Sequence, residues 1–184
     1  MTSTAAALDP PAGDQDLRYR LDVIALDVAA LVRDAGGWLY HRAAIGWDVH
    51  VLVPSEQDLR PLQILGLRTA DLETELAAPE SDPAGHGLAV VADALAADPR
   101  ISERVHRALR CGMTEVVLWG RGWPVEVDRR LNTVQHLPTV AGRAFKRQAL
   151  TAAAGGDAVC GGPEIFRSNQ KCCLPLNSDL VPVN

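Results

Sequence analysis

Lysine is nearly missing from this 184-residue chain. Of 18 basic residues only Lys146 and Lys171 are lysines, and 23 acidic residues leave a net charge of −5. A binder of phosphate backbones needs a cationic surface to displace counterions, so the charge argues against nucleic acid as a partner. The same deficit argues against adhesion to an anionic membrane. No apolar run approaches the ~18–20 residues of a membrane span. Residues 1–16 carry neither the basic start nor the apolar stretch of a secretory signal, and a cytoplasmic location is the expectation. Aromatic residues make up 4% of the chain and cysteines number four. In a reducing compartment four cysteines imply free thiols or a metal more than a disulfide framework.

Catalytic signatures are scarce too. There is no Gly-x-Ser-x-Gly elbow, no His-Glu-x-x-His pair and no phosphate-binding Walker loop. His41, His50, His86, His106 and His136 do not pair at metal-ligating spacing, so no metal and no cofactor is expected. Acidic neighbours such as Glu73 and Glu75 read as a solvated surface.

What the chain does contain is an ordinary soluble core: 47% apolar and 22% charged residues. Arginine and alanine dominate their classes, which points to GC-rich bacterial coding. The alanines stop abruptly. Residues 1–154 hold 26 of them, whereas 155–184 hold only Ala158. The same thirty residues carry Cys160, Cys172 and Cys173. The composition therefore divides the chain into a flexible leader (1–16), one α/β (or α+β) domain (17–154) and an irregular cysteine-containing tail (155–184).

Within the domain, Leu17, Leu21, Ile24, Val28 and Leu31 recur at spacings of four and three. That pattern predicts an amphipathic helix over 17–34, closed by Gly36-Gly37, and marks a candidate core face or dimer interface. A short helix over 38–45 follows. Asp48–Val53 is β-branched and stopped by Pro54, which predicts a strand. Leu62–Leu65 is a second strand candidate, too close to the first for a parallel crossover. Residues 71–86 read as loop, 88–97 and 99–112 as helices, 114–119 as a third strand, 128–135 as a further helical stretch and 140–154 as a helix. The sum is a small sheet of about three strands flanked by helices.

Three candidate sites emerge. Gly120-Arg121-Gly122 directly follows a predicted strand. Ligands bind beyond the carboxyl ends of strands in open α/β sheets, and an arginine between glycines suits a carboxylate or phosphate. Ser55 shares that edge if the two strands are parallel. Asp48 and His50 fall on one strand face and form the weak acid–base candidate. The tail cysteines form the thiol candidate, because exposed thiols oxidise readily. Each of Trp38, Trp47, Trp119 and Trp123 adjoins a glycine at an element boundary, suited either to plugging the core or to facing a partner. With no catalytic constellation in view, the leading expectation is a non-catalytic interaction or accessory protein, homodimeric or bound to a protein partner through its tail. The alternatives are a ligand-binding protein or small enzyme at Arg121, and a thiol-responsive protein.

Overall fold

The computed structural model describes residues 19–78, 86–154, 161–169 and 179–183. The stripe expected to form one helix over 17–34 is split. Residues Arg20–Ile24 form strand β1, and helix α1 runs from Val28 to Ala44. Asp27 makes the break: its backbone is extended and its carboxylate accepts from the Ala30 amide, an N-cap that starts the helix three residues after the strand ends. Leu21 and Ile24 are fully buried on the strand, and Val28 and Leu31 on the helix. They line the protein's interior, so they offer no accessible dimer seam. Leu17 lies outside the described residues.

Strand β2 (Asp48–Val53) forms as expected. The next apolar run does not: Arg60–Ile64 is helix α2, with Pro61 in its first turn, and strand β3 is Arg68–Asp71. Moving that strand later gives the connection enough chain for a parallel crossover, and β2 and β3 pair in parallel. The predicted loop over 71–86 holds helix α3 (Leu72–Ala77), capped by Asp71. The predicted helix over 88–97 is strand β4 (His86–Val91) followed by helix α4 (Ala92–Ala97). Helix α5 (Pro99–Cys111) opens on the Asp98 cap and closes on Gly112 in the left-handed region. Strand β5 (Glu115–Trp119) also forms as expected. Beyond it come helix α6 (Val125–Asp128), strand β6 (Asn132–His136) and helix α7 (Val140–Ala154). The helix expected over 128–135 is thus strand over its second half.

The tail contributes regular structure of its own, strands β7 (Glu164–Ser168) and β8 (Val181–Pro182). The expectation of an irregular tail is corrected there. One mixed sheet of eight strands results, in the order β3-β2-β1-β4-β5-β7-β6-β8, not the small sheet of about three. The first five strands are parallel. β7 then runs antiparallel to both β5 and β6. Among the described residues, seven helices flank this α/β sheet. α1, α2 and α7 pack on one face, around Trp38, Leu62, Leu150 and Phe166. α3, α4, α5 and α6 cover the other, around Leu72, Leu95, Ile101 and Val127. No helix among these residues is long and apolar enough to cross a membrane.

Two buried ionic clusters fasten the last segments to the body. In the first, the Arg42 guanidinium on α1 donates to both Glu115 carboxylate oxygens at 2.9 and 3.1 Å and, through Nη2, to Asp179 at 2.7 Å. Trp38 Nε1 donates to the same Asp179 at 2.8 Å. The guanidinium carbon stands 4.1 Å from the Trp47 ring centroid and 5.1 Å from that of Trp38. Burial alone would push the Arg42 pKa down. The hydrogen bonds and charges of Asp179 and Glu115 outweigh it and hold the pKa above its usual value.

Beside this cluster, His136 donates from Nδ1 to the Asp179 carbonyl at 2.9 Å, while its Nε2 is buried with no partner among the described residues. The His41 ring lies against it, centroids 5.3 Å apart. Burial pushes the His41 pKa below 6.5; His136 and Arg42 push the same way, and Asp179 opposes them. The unfolded chain therefore takes up a proton near pH 6.5 that the folded state resists. The His41 contribution to stability is fully present above pH 6.5 and is lost as the pH falls below it. Urea midpoints measured from pH 7.5 to 5.5 are expected to decline, and His41→Gln is expected to flatten that decline.

Candidate functional site

In the second cluster, Glu164 is the first residue of β7. Its carboxylate accepts from the Gly37 amide at 2.8 Å and the Trp38 amide at 2.7 Å, in the middle of α1. Lys146 Nζ on α7 donates to it at 2.5 Å. Both charged groups are buried, with Lys146 8% and Glu164 4% exposed. The glycines at 36–37 therefore do not end a helix. A side chain at Gly37 would come within 2.8 Å of Pro138 Cγ and 3.0 Å of Glu164 Oε1, so glycine keeps room for the carboxylate and for the chain entering α7.

Above this pair opens a polar cavity of about 490 Å³. Among the described residues its walls are Arg33 and Asp34 of α1, Trp119 at the end of β5 with Gly120-Arg121 after it, Lys146 of α7, and Gly161–Ile165 leading into β7. The topology explains the meeting. β7 lies next to β5 and runs the opposite way, so its first residues come to the carboxyl end of β5. This is the point where the sheet passes from parallel to antiparallel pairing.

The charges in the cavity are not equally engaged. Arg33 donates to neighbouring Asp34 at 3.0 Å, and Lys146 is bound to Glu164. Arg121 is exposed, and among the described residues its side chain makes no hydrogen bond or ion pair. Gly120 and Gly122 both sit in the left-handed region, at φ of 96° and 88°, while Arg121 between them does not. Glycine is required at both for that alternation. At Gly120 it also permits close approach, because an added Cβ would meet Ala92 Cβ at 3.1 Å.

The dinucleotide position of a doubly wound sheet is at the other reversal of strand order, between β1 and β4, at the amino end of the helix after β1. Here that helix end is already occupied. The Ala30 amide is taken by Asp27, and the Val28 amide donates to Gln57 Oε1 at 3.3 Å. No glycine stands in the Ala25-Leu26-Asp27 turn to let a pyrophosphate approach.

Of the other expected site residues, Ser55 lies beyond the carboxyl end of β2, on the same edge as Arg121. Three strand intervals separate them, about 14 Å at the usual spacing, and Ser55 is not a wall of the cavity. Asp48 and His50 lie toward the opposite edge. Asp48 is in register with Arg20 at the start of β1, and Arg20 with His86 at the start of β4. Asp48 Oδ2 stands 2.9 Å from His50 Nε2, without hydrogen-bond geometry, and Asp48 Oδ1 stands 3.3 Å from Arg68 Nε. The length of the sheet keeps this pair away from the cavity. Cys160, Cys172 and Cys173 lie outside the described residues, and Cys111 is exposed. No group of three or more metal-ligating side chains occurs among the described residues. Trp38 and Trp119 are core residues, whereas Trp47 and Trp123 are partly buried at its margin.

Sequence reasoning missed Lys146, Arg33 and Glu164. A buried lysine carries a signal in a chain with only two, but its partner is invisible until β7 is known to be a strand. Comparisons with protein-family models, curated proteins and solved structures find no match.

Proposed function

We propose that this chain binds a small anionic molecule in the cavity beyond β5, with Arg121 as its principal charged contact. One observation carries the reading: an arginine with no partner among the described residues, mounted between two left-handed glycines, lines a polar cavity at the carboxyl end of a parallel strand. The other charges of the cavity walls are already paired. Among the described residues Arg121 is thus the formal charge there left for a ligand to neutralise, and a guanidinium fits planar or tetrahedral oxyanions through paired hydrogen bonds. Asp48 and His50 have no part in this reading.

The interaction reading keeps one support. Ile165 and Val181 both stand opposite Gln135 in the sheet and are about half exposed, and Leu137 nearby is exposed further. Against a docking tail, Phe166, Ser168 and Leu180 are spent on the protein's own core, and Pro182 gives the outer edge strand no amide to donate. The Arg121 cavity is the more specific feature.

A panel of small phosphates, sulfates, mono- and dicarboxylates tested by thermal shift checks the proposal. At least one class is expected to raise the melting temperature. Arg121→Ala should abolish that rise while leaving the ligand-free melting temperature unchanged, since the side chain supports nothing else. A rise that persists in Arg121→Ala, or no rise with any class, would refute the reading.

A further inference from the structure

The same cavity says more about its ligand, provided the anion-binding reading holds. We infer that the ligand carries a phosphate group, gripped jointly by Arg121, by the backbone of the Arg121-Gly122 turn and by Lys146.

Donors outnumber what a carboxylate can use. The first source is the Arg121 side chain. The second is the backbone: among the described residues no hydrogen bond engages the amides of Arg121 or Gly122. Bends and turns that alternate the hand of successive residues can turn their N–H groups toward a common concavity, the arrangement that cradles phosphate oxygens. Gly120-Arg121-Gly122 is a bend whose φ alternates positive, negative, positive. The third source is Lys146. Its ammonium has three N–H groups and one goes to Glu164; among the described residues the other two are unpartnered, and the side chain lines the cavity. These donors approach from two sides, the turn after β5 and helix α7.

A carboxylate presents two oxygens in one plane with about four acceptor sites, two of which a guanidinium takes, so it cannot reach donors on both sides of the cavity as readily. A phosphate presents three terminal oxygens pointing apart, which suits donors that surround it. Acidic groups near the site do not repel it strongly. Glu164 is neutralised by Lys146 and two amides, and Asp34 by Arg33.

The test is isothermal titration of the full chain with inorganic phosphate and, separately, with succinate, at fixed ionic strength. Phosphate binding is expected, weakened at least about tenfold in Gly122→Ala and in Lys146→Gln. Gly122→Ala is the cleaner variant: an added Cβ there meets nothing within 4 Å, so only the φ of 88° is disturbed. Should Lys146→Gln fail to fold with Glu164 left unpaired, Gly122→Ala decides. If phosphate binds with unchanged affinity in Gly122→Ala, the cradle is wrong and the inference falls. Succinate binding that Arg121→Ala abolishes, with no phosphate binding, would overturn the phosphate inference and leave the anion site standing. No binding of either probe, combined with a silent thermal-shift panel, removes both.

Discussion

Replacing Arg42 with methionine is expected to lower the unfolding free energy by about 3–5 kcal/mol, the range for breaking a buried ion pair from one side. Methionine retains much of the stem that packs by Trp38 and Trp47, so the loss is mainly electrostatic. Glu115 and Asp179 would remain in the interior with like charges and no cation between them. The Trp38 indole and its own surroundings give Asp179 one remaining donor. The variant Arg42→Met with Glu115→Gln and Asp179→Asn should regain most of the loss, because a neutral cluster no longer carries uncompensated charge. Urea unfolding of both variants measures the difference. A single substitution that costs under about 1 kcal/mol would mean the cluster is solvated in solution. A triple variant as weak as the single one would place the cost in packing and cation–π contact instead.

This cluster also shows where the sequence was readable and where it was not. Asp48–Val53 was readable because β-branched residues run up to a proline, and α5 because Asp98-Pro99 marks its start and Gly112 its end. The first strand was hidden by coincidence. Leu21 and Ile24 on β1 continue the three–four spacing of Val28 and Leu31 on α1, and only the Asp27 cap separates two structures that share one apolar rhythm. Short apolar runs failed both ways: Leu62–Leu65 lies in and just after a helix, and Leu88–Val91 is a strand. Period cannot separate these over four residues; the partners do. β7 was hidden more deeply, because its polarity is inverted. Glu164 and Ser168 face inward and Ile165 faces out, so its alternation points the wrong way. An inward glutamate is stable only where donors await it, and those donors, two amides in the middle of α1, lie 126 and 127 residues away in sequence.

The candidate site divides along the same line. Gly120-Arg121-Gly122 after a strand was readable from local chemistry alone. Lys146 and Arg33 were not, since only the placement of α1, α7 and β7 brings them to that turn. Asp48 and His50 share one strand face as read, but it is the face of Leu52, away from α1 and α7, and they lie at the other end of the sheet from the cavity; both distinctions depend on strand placement.

Gly37→Ala is expected to destabilise the protein by roughly 2–4 kcal/mol, against the usual direction for a glycine inside a helix. Alanine at a solvent-facing helical glycine gains about 1 kcal/mol through helix propensity. Two effects at Gly37 exceed that gain. The new Cβ would stand 2.8 and 2.9 Å from Pro138, a ring whose position fixes the entry to α7, so the helix crossing itself must move. It would also stand 3.0 Å from Glu164 Oε1, displacing a carboxylate from the Gly37 and Trp38 amides and straining its bond to Lys146. The adjacent glycine is the internal control. A Cβ at Gly36 meets Val32 Cγ1 at 3.2 Å, and Leu65 Cδ1 and Lys146 Cγ at 3.5 Å, the latter two ordinary van der Waals contacts. Val32 yields by a few tenths of an ångström, so Gly36→Ala should change stability by less than about 1 kcal/mol. Equal effects at the two positions in urea unfolding would refute the close approach of Pro138 and Glu164 to α1. A large loss confined to Gly37 would establish that approach. It would also show that Glu164, and with it the Lys146 pair at the Arg121 cavity, is held against α1.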